Sequence, residues 1–300
     1  MSQRTSILKT YKLFINGQFP RSESGHYYQI KNQKSLPGRQ AGKIKIANVA
    51  RGSRKDLRDA VAAARKALPG WSAKTAYNRG QILYRMAEVL ENRKEEFIAE
   101  MVKMTGKDSK KATAEVVKCV DRLVWYAGWS DKYQQILGTV NPVAQPYFNF
   151  TLPEPTGVVG IIVSEELPLI PLVSKMAPAI VAGNTVVMLA SEKYPLSAIT
   201  FAEVIATSDV PAGVVNILTG FKKELIPHLA KHMDVNLVNY TGNDAAILKI
   251  LQEEGSANVK RIVAHDQPQG ETWLDDNKAQ SPYWINSFVE MKTTWHPVGV

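Results

Sequence analysis

Apolar residues follow two alternating rhythms along this chain. Five short runs rich in β-branched residues, 158–163, 185–189, 214–218, 237–240 and 259–264, are separated by stretches of helical period, which predicts an α/β fold built on a doubly wound parallel sheet. The helices between the runs have local causes. Stretch 171–181 sets Leu172, Met176 and Ile180 on one face and meets Ala182-Gly183-Asn184 as a stop. Pro195 opens the next helix, with Ile199, Ala202, Val204 and Ile205 along it. Ligands of such sheets settle beyond the carboxyl ends of the strands, so loops 164–168, 190–193, 219–223 and 241–244 are where a site is expected. The dinucleotide fingerprint G-x-G-x-x-G does not occur in the chain.

Ahead of this array the pattern predicts two hairpin-like segments, 12–19 around Asn16-Gly17 and 27–47. Ser53 with Asp56 three residues on marks a capped helix start; Leu57, Ala60, Val61, Ala64 and Leu68 continue one face until Pro69-Gly70, the expected end. Helices are also predicted over 75–92, 94–104 and 110–130, the last carrying Val116, Val117, Val120, Leu123 and Val124. Segment 138–152 alternates around Pro142 and Pro146 and reads as an exposed β arm. Segment 266–281 is polar and reads as a surface loop.

Composition narrows the class. With 45% hydrophobic residues over 300, the chain can bury one large core or two moderate ones. The single cysteine, Cys119, excludes a disulfide framework and a cysteine metal cage. It lies on an apolar-striped helix and reads as core. No apolar run is long enough to span a membrane, and no secretory leader pattern opens the sequence, so a cytoplasmic location is expected. The net charge of +9 is N-terminal: residues 1–60 hold thirteen Lys and Arg against three Asp and Glu. Arg39, Lys43, Lys45, Arg51, Arg54 and Lys55 could form an anionic-surface or nucleic-acid footprint; without interleaved aromatics they read instead as a solvated face.

The order of these elements and several local words resemble the aldehyde dehydrogenase superfamily. The words are Leu13-Phe14-Ile15-Asn16-Gly17, Glu154-Pro155-Thr156-Gly157-Val158-Val159-Gly160, Ala182-Gly183-Asn184-Thr185-Val186-Val187, Pro211-Ala212-Gly213-Val214-Val215-Asn216 and Tyr240-Thr241-Gly242. About the first 265 residues are covered, and within the superfamily the chain resembles the divergent second module of two-module members. The resemblance implies a nucleotide-binding domain over 1–137 and 154–265, and an oligomerisation arm over 138–153 and 284–296. It implies a linker over 266–283 in place of the catalytic domain.

Site residues transfer only in part. Glu166 stands where active members carry the oxyanion-holding Asn, and a carboxylate there would repel the developing charge. The family's Lys-Pro-Ser-Glu word reads Leu189-Ala190-Ser191-Glu192 here, which retains the ribose acceptor Glu192 and replaces the cationic donor with Leu189. The third loop, Thr219-Gly220-Phe221-Lys222-Lys223, has lysines where a close phosphate wants small residues; they either pair with phosphate or start a solvated helix. In the fourth loop Ile247 replaces a glycine, and with Asp244 it opposes a tightly held dinucleotide. The general-base Glu is missing, and His265 or Asp266 could stand in for it only against the plainer reading of a structural strand end.

The resemblance therefore leaves no catalytic residue and no metal ligand, and a vestigial cofactor set of Ser164, Ser191, Glu192, Gly220, Thr241 and Gly242. NAD or NADP binding is expected to be weak or absent. The expected role is that of a non-catalytic subunit or binding module, as a homo-oligomer or a hetero-oligomer with a full-length aldehyde dehydrogenase homologue, without membrane or nucleic-acid partners. Two alternatives stay open: an NAD(P)-dependent aldehyde oxidoreductase component completed by a partner chain, and an anion- or nucleic-acid-binding protein.

Overall fold

The computed structural model describes residues 7–32, 44–264 and 268–299. Its centre is a five-stranded parallel sheet of β6 (Val158–Ile162), β7 (Thr185–Leu189), β8 (Val215–Leu218), β9 (Leu237–Tyr240) and β10 (Arg261–Val263), in the order β10-β9-β6-β7-β8. Crossover helices α6 (Ile170–Val181), α7 (Pro195–Ala206), α8 (Lys222–Lys231) and α9 (Ala245–Gly255) connect them. Strands β6 to β9 are buried at every residue, which explains runs of apolar residues instead of alternation: both sheet faces are covered. The fifth run is shorter than its sequence suggests. Its Val259 is 97% exposed in a left-handed turn, and the strand begins at Arg261.

The N-terminal part supplies a second sheet, β1 (Thr10–Tyr11), β3 (Lys45–Ala50) and β2 (Tyr27–Lys31) in that order. Asn16 and Gly17 both take positive φ, 52° and 72°, between paired Ile15 and Gln18, as the Asn-Gly word predicts. Phe14 pairs with Ile217 of β8, which fastens this layer to the central sheet.

Helices α1 (Arg54–Ser72), α2 (Ala76–Asn92), α3 (Lys94–Thr105), α4 (Ser109–Trp129) and α5 (Tyr133–Leu137) follow. Ser53 and Asp56 form the expected capping box. The expected stop at Pro69-Gly70 does not occur, and α1 runs through both to Ser72. Trp71 is the reason: its indole is fully buried and donates from Nε1 to the Ile180 carbonyl at 3.0 Å, a combination that offsets the bond Pro69 cannot make. On α4, Val116, Cys119 and Leu123 face inward while Val117 and Val124 are exposed. Helix α6 is buried at every residue, not on one stripe, because α2 and α4 cover the side away from the sheet. Glu115 of α4 caps it, accepting from the Leu169 and Ile170 amides at 2.7 and 3.1 Å.

The third sheet is the arm: β4 (Thr139–Asn141), β5 (Tyr147–Pro155) and β11 (Val289–Pro297), in the order β11-β5-β4, antiparallel throughout. Segment 266–281 does not behave as a surface loop over its described part. It forms a 3-10 turn over Gly270–Leu274 and α10 (Asp276–Ala279), and α11 (Tyr283–Asn286) then leads into β11. Trp273, Ala279, Ile285 and Phe288 are buried in the main core. Arg122, wholly buried on α4, holds this segment by donating to the Ala279 and Trp273 carbonyls, and it also binds Ser174 Oγ at 2.7 Å. The polar composition concealed this docking.

Candidate functional site

The segments that follow β6, β8 and β9 meet at a cleft of about 310 Å³, beside the point where the strand order reverses at β6. Ser164, Glu165, Glu166, Lys222, Thr241, Gly242 and Ile247 line it. A neighbouring slot of about 640 Å³ lies between α8 and α9, with Ile226, Pro227, Ile247 and Ile250 as its apolar walls and Glu192 and Asp244 among its polar ones.

Glu165, which the sequence does not single out, sits at the centre of this region. Its carboxylate accepts from Ser191 Oγ at 2.5 Å and from the Glu192 and Lys193 amides at 3.1 and 3.0 Å. It also pairs with Lys222 Nζ. Burial would push this carboxyl up, but the Lys222 charge and the converging donors override it and hold the group below the ordinary carboxylate range. Lys222 is neither solvated nor free for a ligand, since it is 8% exposed and also donates to the Val163 carbonyl. Two adjacent carboxylates in one strand-end loop, with two lysines in another, were the only sequence signal.

The other expected residues divide by what they touch. Ser191 is held by Glu165 and in turn accepts from the Tyr194 amide at 2.9 Å. Glu192 accepts from the Lys222 amide at 2.5 Å, fixing the first turn of α8. Ser164 accepts from the Glu166 amide at 3.2 Å, Thr241 donates to the Ile162 carbonyl, and Gly242 packs on the Tyr240 ring so closely that a Cβ would meet its hydroxyl at 2.5 Å. Gly220 lines neither cleft nor slot: at φ 145° it crosses Gly52, whose amide nitrogen would lie 3.0 Å from an added Cβ. Glu166 does not project a free charge. It accepts from the Gly270 amide and from Trp273 Nε1, both at 3.1 Å, so the carboxylate expected to oppose an oxyanion tethers the segment packed beside it.

Leu189 is buried in β7, and Asp244 caps α9 through the Ala246 amide at 2.8 Å. Cys119 is fully buried, and burial pushes its thiol well above the ordinary range, the opposite of an activated thiolate. His265 and Asp266 lie outside the described residues. So do Arg39 and Lys43 of the basic N-terminal set. Arg51 clamps α8 through Glu224, with contacts at 2.5 and 3.1 Å.

The chain's residues 38–265 match the family model described as the aldehyde dehydrogenase family. The chain belongs to this family. Among relatives of the aldehyde dehydrogenases it is 34% identical to omega-crystallin of Enteroctopus dofleini, over 86% of this chain and 51% of that one. It is 33% identical to aldehyde dehydrogenase 1A1 of Homo sapiens, over 84% of this chain and 49% of that one. The chain thus spans about half the length of the curated relatives it matches. Among solved structures, the NAD+ complex of aldehyde dehydrogenase from Bacillus cereus superposes with a TM-score of 0.78 at 28% identity, covering 87% of this chain and 52% of that one.

A family that includes an NAD+ complex raises the question of fit. The apolar α8–α9 slot with Glu192 at hand suits an adenosine-sized group. The continuation into the strand-end cleft does not suit a diphosphate. Its donors are already taken by Glu165, and the Glu165 carboxylate and the Ile247 side chain line both spaces where they adjoin. The residues present do not fit an intact dinucleotide.

Proposed function

We propose that this chain is a non-catalytic member of the aldehyde dehydrogenase family that acts by assembling, with a second copy or with a full-length homologue. The observation that carries this reading is the Glu165 carboxylate, an internal anion seated on Ser191, the 192 and 193 amides and Lys222, where a phosphate would need those donors. Glu166 supports it by spending its acceptor on Trp273 and Gly270 instead of leaving a place for an oxyanion donor. Cys119 offers no alternative nucleophile inside the α4 core.

The arm supplies the assembly surface. On one face Val140, Phe148, Phe150 and Leu152 lie together, and all but Phe150 are more than 40% exposed. Such a cluster on a thin sheet with two open edges favours burial against another chain. The opposite face is mixed: Asn141–Asn149 and Thr151–Thr293 side-chain bonds at 2.6 and 2.8 Å lie beside exposed Met291 and the Tyr147–Trp295 ring pair. Phe288 and Val289, where the last strand begins, are buried within the chain and add nothing to that surface.

A second reading, an NAD(P)-dependent oxidoreductase component completed by a partner chain, draws on the retained Glu192 and α8–α9 slot. Aldehyde-dependent reduction of NAD or NADP, followed by absorbance with the chain alone and mixed with a full-length homologue, separates the two. The first reading predicts no turnover alone and no gain over the homologue's own rate. Turnover of the isolated chain that disappears in Cys119→Ala would overturn it.

A further inference from the structure

A concave cavity of about 580 Å³ opens between the start of α1 and the end of α8, walled by Arg54, Lys55 and Arg58 from one helix and by His228 and Lys231 from the other. His232, Ser53, Leu57 and Glu23 complete it, and it shares no residue with the strand-end cleft or the α8–α9 slot. Four permanent cations face one carboxylate. Lys55 pairs with Glu23 at 2.9 Å, Arg58 with Asp59 at 2.9 Å, and Lys231 lies 3.6 Å from Glu254. Arg54 and His228 have no side-chain hydrogen bond or ion pair with any described residue.

Half of this arrangement explains itself. His228 and Lys231 sit in the last turn of α8, where the carbonyl end attracts cations. Arg54 and Lys55 open α1, the end that disfavours them, and Arg58 follows one turn later on the same face. The acid of that turn does not compensate, since the Asp56 carboxylate is fully engaged by Ser22 Oγ and the Glu23 and Ser53 amides at 2.8, 3.0 and 2.8 Å. At Arg54 a local rule is broken without an internal partner among the described residues, in a cavity of ligand size.

We propose that this cavity binds a small molecule carrying two or more phosphate groups. The guanidinium forks of Arg54 and Arg58 grip neighbouring phosphates, and Lys231 closes on them from α8 as a point charge. No Phe, Tyr or Trp lines the cavity, so it lacks the large stacking platform a nucleic-acid strand uses. The site accounts for part of the N-terminal positive charge that the fold of the central sheet does not use.

Inorganic pyrophosphate titrated calorimetrically into the full chain at low ionic strength tests the proposal, with adenosine as a phosphate-free control. The expected result is saturable one-to-one binding that weakens with added salt, and no binding of adenosine in this cavity. Arg54→Ala and Lys231→Ala each weaken pyrophosphate binding by about tenfold or more, while Lys249→Ala, an exposed cation elsewhere, leaves it unchanged. Arg54→Lys, which keeps the charge at an exposed position but lacks the fork, loses part of the affinity. Equal losses in all the lysine and arginine variants, or no saturable binding, would overturn the proposal. Tighter binding in Glu165→Ala with Arg54→Ala unaffected would do so too, by moving the anion to the strand-end cleft; the assembly reading is untouched by either result.

Discussion

Glu165, on the loop after β6, and Lys222, at the start of α8, form an ion pair across the mouth of the parallel sheet, and each uses its remaining capacity on groups of the same mouth. A carboxylate beside a lysine in a half-buried cleft is a stable substitute for a bound anion, because its charge is delivered by the chain itself and requires no ligand concentration. In the proposed reading, this pair occupies the donors that a bound anion would otherwise use.

Emptying that place should restore binding in part. In Glu165→Ala the donors of Ser191, Lys193 and Lys222 lose their resident anion, and adding Ile247→Gly joins the cleft to the α8–α9 slot. The double variant is expected to bind NAD at least about tenfold more tightly than the native chain, whose dissociation constant should be about 1 mM or weaker. Calorimetry with NAD and NADP decides it. Low-micromolar binding by the native chain would contradict the reading of the cleft as closed.

The docked segment should matter to stability in proportion to what it buries. Trp273 is fully buried and its indole donates to Glu166, so Trp273→Ala should cost about 3–5 kcal/mol in denaturant unfolding. Glu166→Gln keeps an acceptor for the same donors and should cost less than about 1.5 kcal/mol. Near-equal, negligible losses would mean that the segment does not pack as described.

Lys175 gives the chain a distinctive pH dependence. It lies on α6 with its ammonium 3.8 Å from the centre of the Trp284 ring, and burial, reinforced by Arg122, pulls it from the ordinary 10.5 to about 7. Between about pH 7 and 10.5 the unfolded chain therefore holds a proton that the folded chain has released. This group's contribution makes stability rise with pH across that window, in total by a few kcal/mol, and leaves it flat below. Lys175→Met keeps the length and packing without the charge. Its unfolding free energy should lie above the native chain's at pH 7, with the gap closing towards pH 10. Parallel profiles would show that Lys175 stays protonated in the fold.

The parallel sheet and the capped start of α1 were legible because each is written locally, as β-branched runs or a Ser-x-x-Asp spacing, whereas the pairing of the arm with the last strand followed only from the family resemblance. The contacts that decide the site were not. Glu165 and Lys222 are far apart in the chain and meet only because β6 and β8 flank β7. Trp273 and Ala279 sit in polar sequence, and their burial depends on Arg122, a charged residue on a helix whose pattern gives it no inward role. Propensity likewise ends α1 at Pro69, whereas one buried indole three-dimensionally distant in sequence from its Ile180 partner extends it.

Assembly through the arm is tested most directly by native mass spectrometry, with light scattering, on the native chain and on Val140→Arg/Phe148→Arg. Both substitutions sit on the exposed apolar face and leave the core residues Phe288 and Val289 in place, which a truncation before Asn286 would not. The native chain should run as a dimer or larger species, or join a full-length homologue added to it, through an interface above about 1,000 Å². The double variant should be a folded monomer that joins neither. A native chain that is a monodisperse monomer and recruits no homologue would contradict the proposed function.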